Sequence, residues 1–167
     1  MKIHFTEEEC LNIINLSNQL PVIKSDGGYK DLNTVNYIGW RIPYQEDSKW
    51  IFDRMINIFK ADNTRFNITK YPPHIGLHKY NVGDKFEKHN DFNKNRMWGI
   101  GTNLNEKYKG GDFYLYEPTY LLPKKRGEIY YFESMRDHEV LEILEGERWS
   151  LIMFLCAEHL TFKSTLI

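Results

Sequence analysis

The spacing of apolar positions changes character near residue 66. Upstream, they recur at helical intervals. Over residues 6–19, Leu11, Ile13, Ile14 and Leu16 mark one side of an amphipathic helix, and Thr6 with Glu9 three residues on has capping-box spacing. Asp47-Ser48 opens a second helix, with Ile51, Phe52, Met55, Ile56 and Phe59 on one side. Between them, Pro21 to Tyr44 mixes a turn at Ser25-Asp26-Gly27-Gly28 with a candidate strand over Asn36–Ile42. From Phe66 the helical period disappears. Short apolar runs, rich in aromatic and branched residues, predict strands over 66–70, 74–80, 86–91, 97–104, 112–116, 128–133, 138–144, 148–156 and 159–163. Turn residues separate them at Pro72-Pro73, Val82-Gly83-Asp84, Asn93 to Asn95, Gly110-Gly111, Pro123 through Gly127, and Glu145-Gly146.

Two helices followed by a series of short strands predict a mainly β fold, with the helices bracing a double-stranded β-helix, or jelly roll. The expected organisation is one domain over residues 1–167, with helical support at 1–65 and the jelly-roll core at 66–163. A chain of 167 residues can bury about 70% of its unfolded surface in one core. An aromatic content of 15% suits a β core, and no repeat, low-complexity tract or linker divides the chain. The net charge of −1 excludes a general electrostatic grip on nucleic acid or anionic membrane. The longest apolar run is too short for a membrane span, and the N-terminus lacks a signal-peptide core. Cys10 and Cys156 stand far apart and define no disulfide framework. A reducing cytoplasm is the expected location, or a host cytoplasm if the chain is phage-encoded. The wealth of Asn, Ile and Lys hints at an AT-rich genome.

Candidate chemistry centres on His89-Asn90-Asp91. A His and a carboxylate two residues apart on a strand project to the same face, as adjacent corners of an octahedron require. One more imidazole completes a facial triad with open positions, the arrangement of non-haem Fe(II) oxygenases. His138, in Asp137-His138-Glu139-Val140, can supply it. Singly, these residues read as a solvated strand end and a surface imidazole. The set gains weight from Arg148-Trp149-Ser150, ten residues beyond His138 on what reads as the next strand.

In order along the chain stand Tyr80-x8-His89-x-Asp91, Gly110-Gly111-Asp112-Phe113, Pro123-x3-Gly127, His138-Glu139-Val140 and Arg148-Trp149-Ser150-Leu151. This series resembles the 2-oxoglutarate- and Fe(II)-dependent dioxygenases, especially the prolyl 4-hydroxylase-like branch, across residues 71–157. The segment from Trp50 to Asn67 is more faintly similar to the helix before the barrel in bacterial and phage members. The resemblance implies Fe(II) held by His89, Asp91 and His138, with 2-oxoglutarate and O2 as cosubstrates and ascorbate in support. Arg148 would grip the distal carboxylate of 2-oxoglutarate with two parallel hydrogen bonds, and Ser150, on the same strand face, would add a third. Tyr80 matches the Tyr that points into the cosubstrate pocket. Asn103 stands where the family usually carries a Tyr that also binds the distal carboxylate, and it keeps one donor for that purpose. His78 shares the face of Tyr80, Trp98 and Trp149 are extra bulk near the pocket or in the packing, and His74 and His159 receive no role.

His138 and Arg148 must face one interior. A plain two-residue hairpin at Glu145-Gly146 would set them on opposite faces, so a bulge or odd-length loop is expected, with the two residues roughly 16–20 Å apart along the strands. The first substrate expectation is a prolyl residue of a peptide or protein, chosen by loops near 25–45 and 92–96. A free amino acid or other small molecule, a cupin-like metal-binding barrel without oxygenase activity, and a structural or phage accessory protein stay open. Oxidative nucleic-acid demethylases carry a second Arg six residues after the first. This chain has Phe154 there and is not basic, so a nucleic-acid partner is not expected. Oligomeric state is not legible.

Overall fold

Alternation along one long strand sets the architecture. Strand β13 (Arg148–Cys156) turns Trp149, Leu151, Met153 and Leu155 into a helix-backed core, and Arg148, Ser150, Ile152 and Phe154 into a cavity. A computed structural model describes residues 3–24, 37–91 and 95–163. In it, β13 lies at the heart of a six-stranded antiparallel sheet. The order is β1 (Ile23–Lys24), β2 (Ile38–Pro43), β4 (His74–Tyr80), β13, β6 (Arg96–Asn103) and β10 (Ile129–Glu133). A second antiparallel sheet runs β5 (Phe86–His89), β11 (His138–Val140), β8 (Phe113–Leu115) and β9 (Tyr120–Leu121). Two small ribbons pair β12 (Ile143–Gly146) with β7 (Tyr108–Gly110), and β14 (Leu160–Phe162) with β3 (Phe66–Ile68). The turn read at Ser25–Gly28 and part of those at Asn93–Asn95 lie outside the described residues.

Both helices cover the outer face of the large sheet. Helix α1 (Glu7–Asn15) begins with the capping box read from the sequence: Thr6 N donates to Glu9 Oε2 at 2.8 Å and Glu9 N donates to Thr6 Oγ1 at 3.2 Å. It ends four residues earlier than expected, in a 3₁₀ turn over Leu16–Asn18. It buries Cys10 and Ile13, while Leu11 stays in solvent. Helix α2 (Lys49–Asp62) buries all five predicted residues, Ile51, Phe52, Met55, Ile56 and Phe59, against Trp40, Ile42, Ile75, Leu77 and Ile100 of the sheet. Trp98 and Trp149 belong to this outer packing, and Trp149 stacks on Trp40 at 5.4 Å.

The single strand expected over 138–144 is two strands in two sheets. After Val140 the chain leaves β8; Leu141 N donates to Asp112 O, and Ile143 settles opposite Gly110 of β7. The close approach needs glycine. Gly110 has φ of +73°, and a Cβ there would lie 2.1 Å from the Glu142 carbonyl. Arg148 therefore does not follow His138 in a hairpin. It emerges on the opposite sheet, and the expected bulge and 16–20 Å separation do not apply. Short strands β7 and β9 also went unread.

The facing sheets meet through aromatic rings. Phe113 of β8 sits 5.4 Å from Phe132 and 5.8 Å from Tyr130 of β10, both edge-on. Phe132 and Tyr130 in turn lie across Gly99 and Gly101 of β6, where an added Cβ would come within 2.5 and 2.7 Å of their rings. Gly99→Ala should therefore lower stability by about 1–3 kcal/mol, the usual cost of overpacking. Chemical denaturation reads this directly. Because the displaced Phe132 ring lies 4.9 Å from His138, the same substitution should weaken metal binding.

Candidate active site

His89 and His138 are direct cross-strand partners in the β5–β11 register, so antiparallel pairing sets their imidazoles side by side, 4.3 Å between ring centres. Asp91 lies just past β5 and is fixed by its N–H to Ser134 O at 2.8 Å. The ligand atoms of His89, Asp91 and His138 all lie within 4.8 Å of one another. Each imidazole has its Nδ1 against the carbonyl two residues back: Glu87 O for His89 at 2.7 Å, Arg136 O for His138 at 2.8 Å. Donating there fixes the tautomer and leaves Nε2 for a metal. The His138 Nε2 is 3.4 Å from Asp91 Oδ2, while Asp91 Oδ1 accepts from Arg96 Nη1 at 2.6 Å. Two imidazoles and one carboxylate converging in this way form a donor set that fits a ferrous ion.

Electrostatics keep this set ready. Burial raises the Asp91 carboxyl, but the His138 hydrogen bond and the charges of Arg96, His138 and His89 overcome it and pull the pKa to about 2. Burial, reinforced by His138, holds His89 down to about 4. Phe86 stacks on His89 at 3.8 Å, and Phe132 and Phe113 flank His138 at 4.9 and 5.7 Å.

Across the cavity, Arg148 is 2% exposed. It lies in register with Tyr80 of β4, its Cζ 5.3 Å from the Tyr80 ring centre, and its Nη1 donates to Ser150 Oγ at 3.1 Å. Among the described residues no carboxylate pairs with Arg148, and its Nε has no hydrogen-bond partner. Burial opposes the charge, yet interactions with Tyr130, Tyr108 and Tyr80 outweigh it and keep the guanidinium protonated. A buried charge without a counter-ion is costly, and an anion entering the cavity would relieve that cost.

The cavity has a volume of about 580 Å³, and His89, Asp91, His138, Tyr80, Arg148 and Ser150 all line it. Asn103 does not join them. It lies opposite Ser150 in the sheet, but its Nδ2 donates to Pro123 O at 3.1 Å and its buried Oδ1 has no partner among the described residues. Its expected donor is thus turned away. Tyr130, which sequence reading missed, lines the cavity near Arg148, and the buried Tyr108 hydroxyl lies beside it and adds to the interactions that favour its charge. The alternation of Tyr130 with Phe132 in Ile129–Glu133 was visible. That their shared face meets Arg148 follows only from the β10-β6-β13 order. Arg96 was likewise passed over. His78, His74 and His159 also line the cavity; His159 is buried, and its Nδ1 accepts from Cys156 N at 2.9 Å.

The model of the 2OG-Fe(II) oxygenase superfamily matches residues 75–156, a span that holds Tyr80, His89, Asp91, His138, Arg148 and Ser150. The chain belongs to the 2-oxoglutarate/Fe(II) oxygenase superfamily. Fe(II) and 2-oxoglutarate are accordingly the metal and cosubstrate of this oxygenase. Its fold matches a prolyl-4-hydroxylase from Pseudomonas putida, at TM-score 0.67 and 19% identity over 93% of this chain and 90% of that one. It also matches the viral collagen prolyl hydroxylase of Paramecium Bursaria Chlorella virus-1, solved as a 2OG complex (0.68; 14%; 92% of both chains). A 2OG-Fe(II) oxygenase family oxidoreductase from Burkholderia pseudomallei is similar too (0.67; 18%; 90% and 80%). No curated protein sequence matches the chain. No helix among the described residues is long and apolar enough to cross a membrane.

Two outcomes follow. Tyr130→Phe should raise the concentration of 2-oxoglutarate needed for half-maximal binding several-fold while leaving metal affinity unchanged, as calorimetry can check. The metal-free oxygenase should also lose thermal stability as pH falls from 6.5 towards about 4, because unfolded His89 takes up a proton that the folded residue refuses. His89→Ala should make that part of the melting-temperature profile shallower, leaving the slope due to His78, which burial holds down to about 3.

Proposed function

We propose that this oxygenase hydroxylates an unactivated C–H bond, with His89, Asp91 and His138 as iron ligands and Arg148, Ser150 and Tyr80 as the cosubstrate grip. The observation that carries the reading is Arg148, buried and unpaired by any described carboxylate, facing the same cavity as the His-Asp-His cluster. A diacid answers both features: one end balances the guanidinium and the other reaches the metal. A cupin-like metal protein without a cosubstrate would have no use for a buried guanidinium.

The metal and 2-oxoglutarate, when bound, couple oxidative decarboxylation to succinate and CO2 with insertion of the other oxygen atom of O2 into the substrate C–H bond. The protein's part is positional. Arg148 and Ser150 receive the distal carboxylate, Ser150 accepting from the guanidinium and keeping its own proton to donate. The carbonyls of Glu87 and Arg136 hold the two imidazoles in orientation. Phe86, Phe113 and Phe132 pack around them and limit water.

For the substrate, we favour a prolyl residue of a peptide or protein. Support comes from the prolyl-hydroxylase folds and from the size of the cavity, which falls within the range of about 300–1,000 Å³ for ligand sites. Gly76, Phe154, Pro72 and Pro73 also line it, and Pro73 is exposed. A free amino acid is the second reading. Arg41 lines the outer cavity with no ion-pair or hydrogen-bond partner among the described residues and could take an α-carboxylate. The unpaired thiols Cys10 and Cys156 suit a reducing cytoplasm, which would also keep iron ferrous.

Incubation with Fe(II), 2-oxoglutarate, ascorbate and a panel of proline-containing peptides and free amino acids should release succinate and give one product heavier by the mass of one oxygen atom. Mass spectrometry identifies which compound gains it. Absence of succinate with every compound, and without any, contradicts the assignment. His89→Ala should abolish iron binding and turnover together.

A further inference from the structure

Arg96 opens β6 in the large sheet, yet its guanidinium serves the carboxylate of the small one. Nη1 lies 2.6 Å from Asp91 Oδ1, and Cζ lies 3.7 Å from the ring centre of Phe154 on β13. Asp91 is 3% exposed and the Arg96 side chain 25%, so the pair is largely shielded from water. The two oxygens of Asp91 thereby become unequal. Oδ1 is taken by a short charge-assisted bond, and Oδ2 is turned to His138 Nε2 at 3.4 Å.

We propose that Arg96 is a positioning residue that makes Asp91 a one-oxygen ligand. This rests on the reading of His89, Asp91 and His138 as the metal centre. A carboxylate beside a dication can chelate through both oxygens, and doing so would fill a coordination position that a cosubstrate or O2 requires. With Oδ1 held by Arg96, chelation must first break that bond. Phe154 backs the guanidinium from the neighbouring strand through a cation–π contact, so the ring resists the swing that would release Asp91. Phe154 stands six residues beyond Arg148 on the same inward face, so the strand that presents Arg148 to the cavity also fixes Arg96.

Charge and position predict opposite signs. A guanidinium near a dication repels it, so if charge alone mattered, removing Arg96 would tighten metal binding. If Arg96 positions the ligand, its removal loosens the metal, as loss of an outer-shell partner does by 10–100-fold.

The test titrates Co(II) anaerobically, as a spectroscopic substitute for Fe(II), into the full chain and into Arg96→Met, Arg96→Lys and Phe154→Leu. Metal-free circular dichroism of each serves as the folding control. The wild type should bind Co(II) with a defined d–d absorption. Arg96→Met should bind about 10–100-fold more weakly, with an altered band as the Arg96 bond to Oδ1 is lost. Arg96→Lys should recover part of the affinity, and Phe154→Leu should weaken it less, in the same direction. Arg96→Met binding as tightly as wild type, or tighter, with an unchanged band overturns the proposal. If Arg96→Met does not fold, Phe154→Leu decides, since it keeps both partners of the ion pair: wild-type affinity and band there overturn the proposal as well. A wild type that binds no Co(II) overturns the metal-centre reading and this inference with it, an outcome distinct from the others.

Discussion

A positive charge placed where water cannot reach it organises this molecule. Arg148 sits at 2% exposure with no described carboxylate to balance it, held by Ser150 and ringed by Tyr80, Tyr108 and Tyr130. Folded proteins seldom retain such a group without a partner, because desolvation of an ion costs several kcal/mol even after relaxation. Under the proposed function, that cost becomes binding energy for an incoming anion. The residues around it carry hydroxyls rather than carboxylates, so they stabilise the guanidinium without neutralising it.

The sandwich sets that charge across one cavity from the His-Asp-His cluster. Strand alternation on β13 and β4 turns Arg148, Ser150 and Tyr80 inward and gives their neighbours to the helix-backed core. The β5–β11 register does the same for the two imidazoles on the facing sheet. Neither sheet alone holds a complete site. The inner-face glycines of β6 let the rings of Tyr130 and Phe132 lie close to the strand, which brings the sheets near enough to share one cavity. Stability and chemistry are joined at these rings, because Phe132 packs on His138 and Tyr130 borders Arg148.

What could be read from the chain divides along local and non-local lines. His89 and Asp91 were legible as a pair because their spacing is local, and His138 and Arg148 were legible from the motif series in which they stand. That all four line one cavity follows from the two sheets and not from spacing. The helices were legible from local spacing, in the Thr6–Glu9 capping box and the stripe from Ile51 to Phe59. The break after Val140 was not, because 138–144 is uniformly compatible with one strand, and what divides it is the approach of Gly110 from a distant turn. The same limit hid Tyr130, whose value depends on strand order. Arg96 stands only five residues from Asp91, but it opens a strand of the other sheet, which local spacing does not show. Asn103 looked like a donor by position, yet a bond to Pro123 O turns its amide away from the cavity.

If Arg148 and the His-Asp-His cluster are two ends of one site, metal and cosubstrate must bind as linked partners, each strengthening the other by the same factor. Calorimetric titration of 2-oxoglutarate into the metal-free and the Fe(II)-loaded protein, under anaerobic conditions, measures that link. The account predicts binding at least tenfold tighter with the metal present. Equal affinity with and without Fe(II), or none in either state, would contradict it.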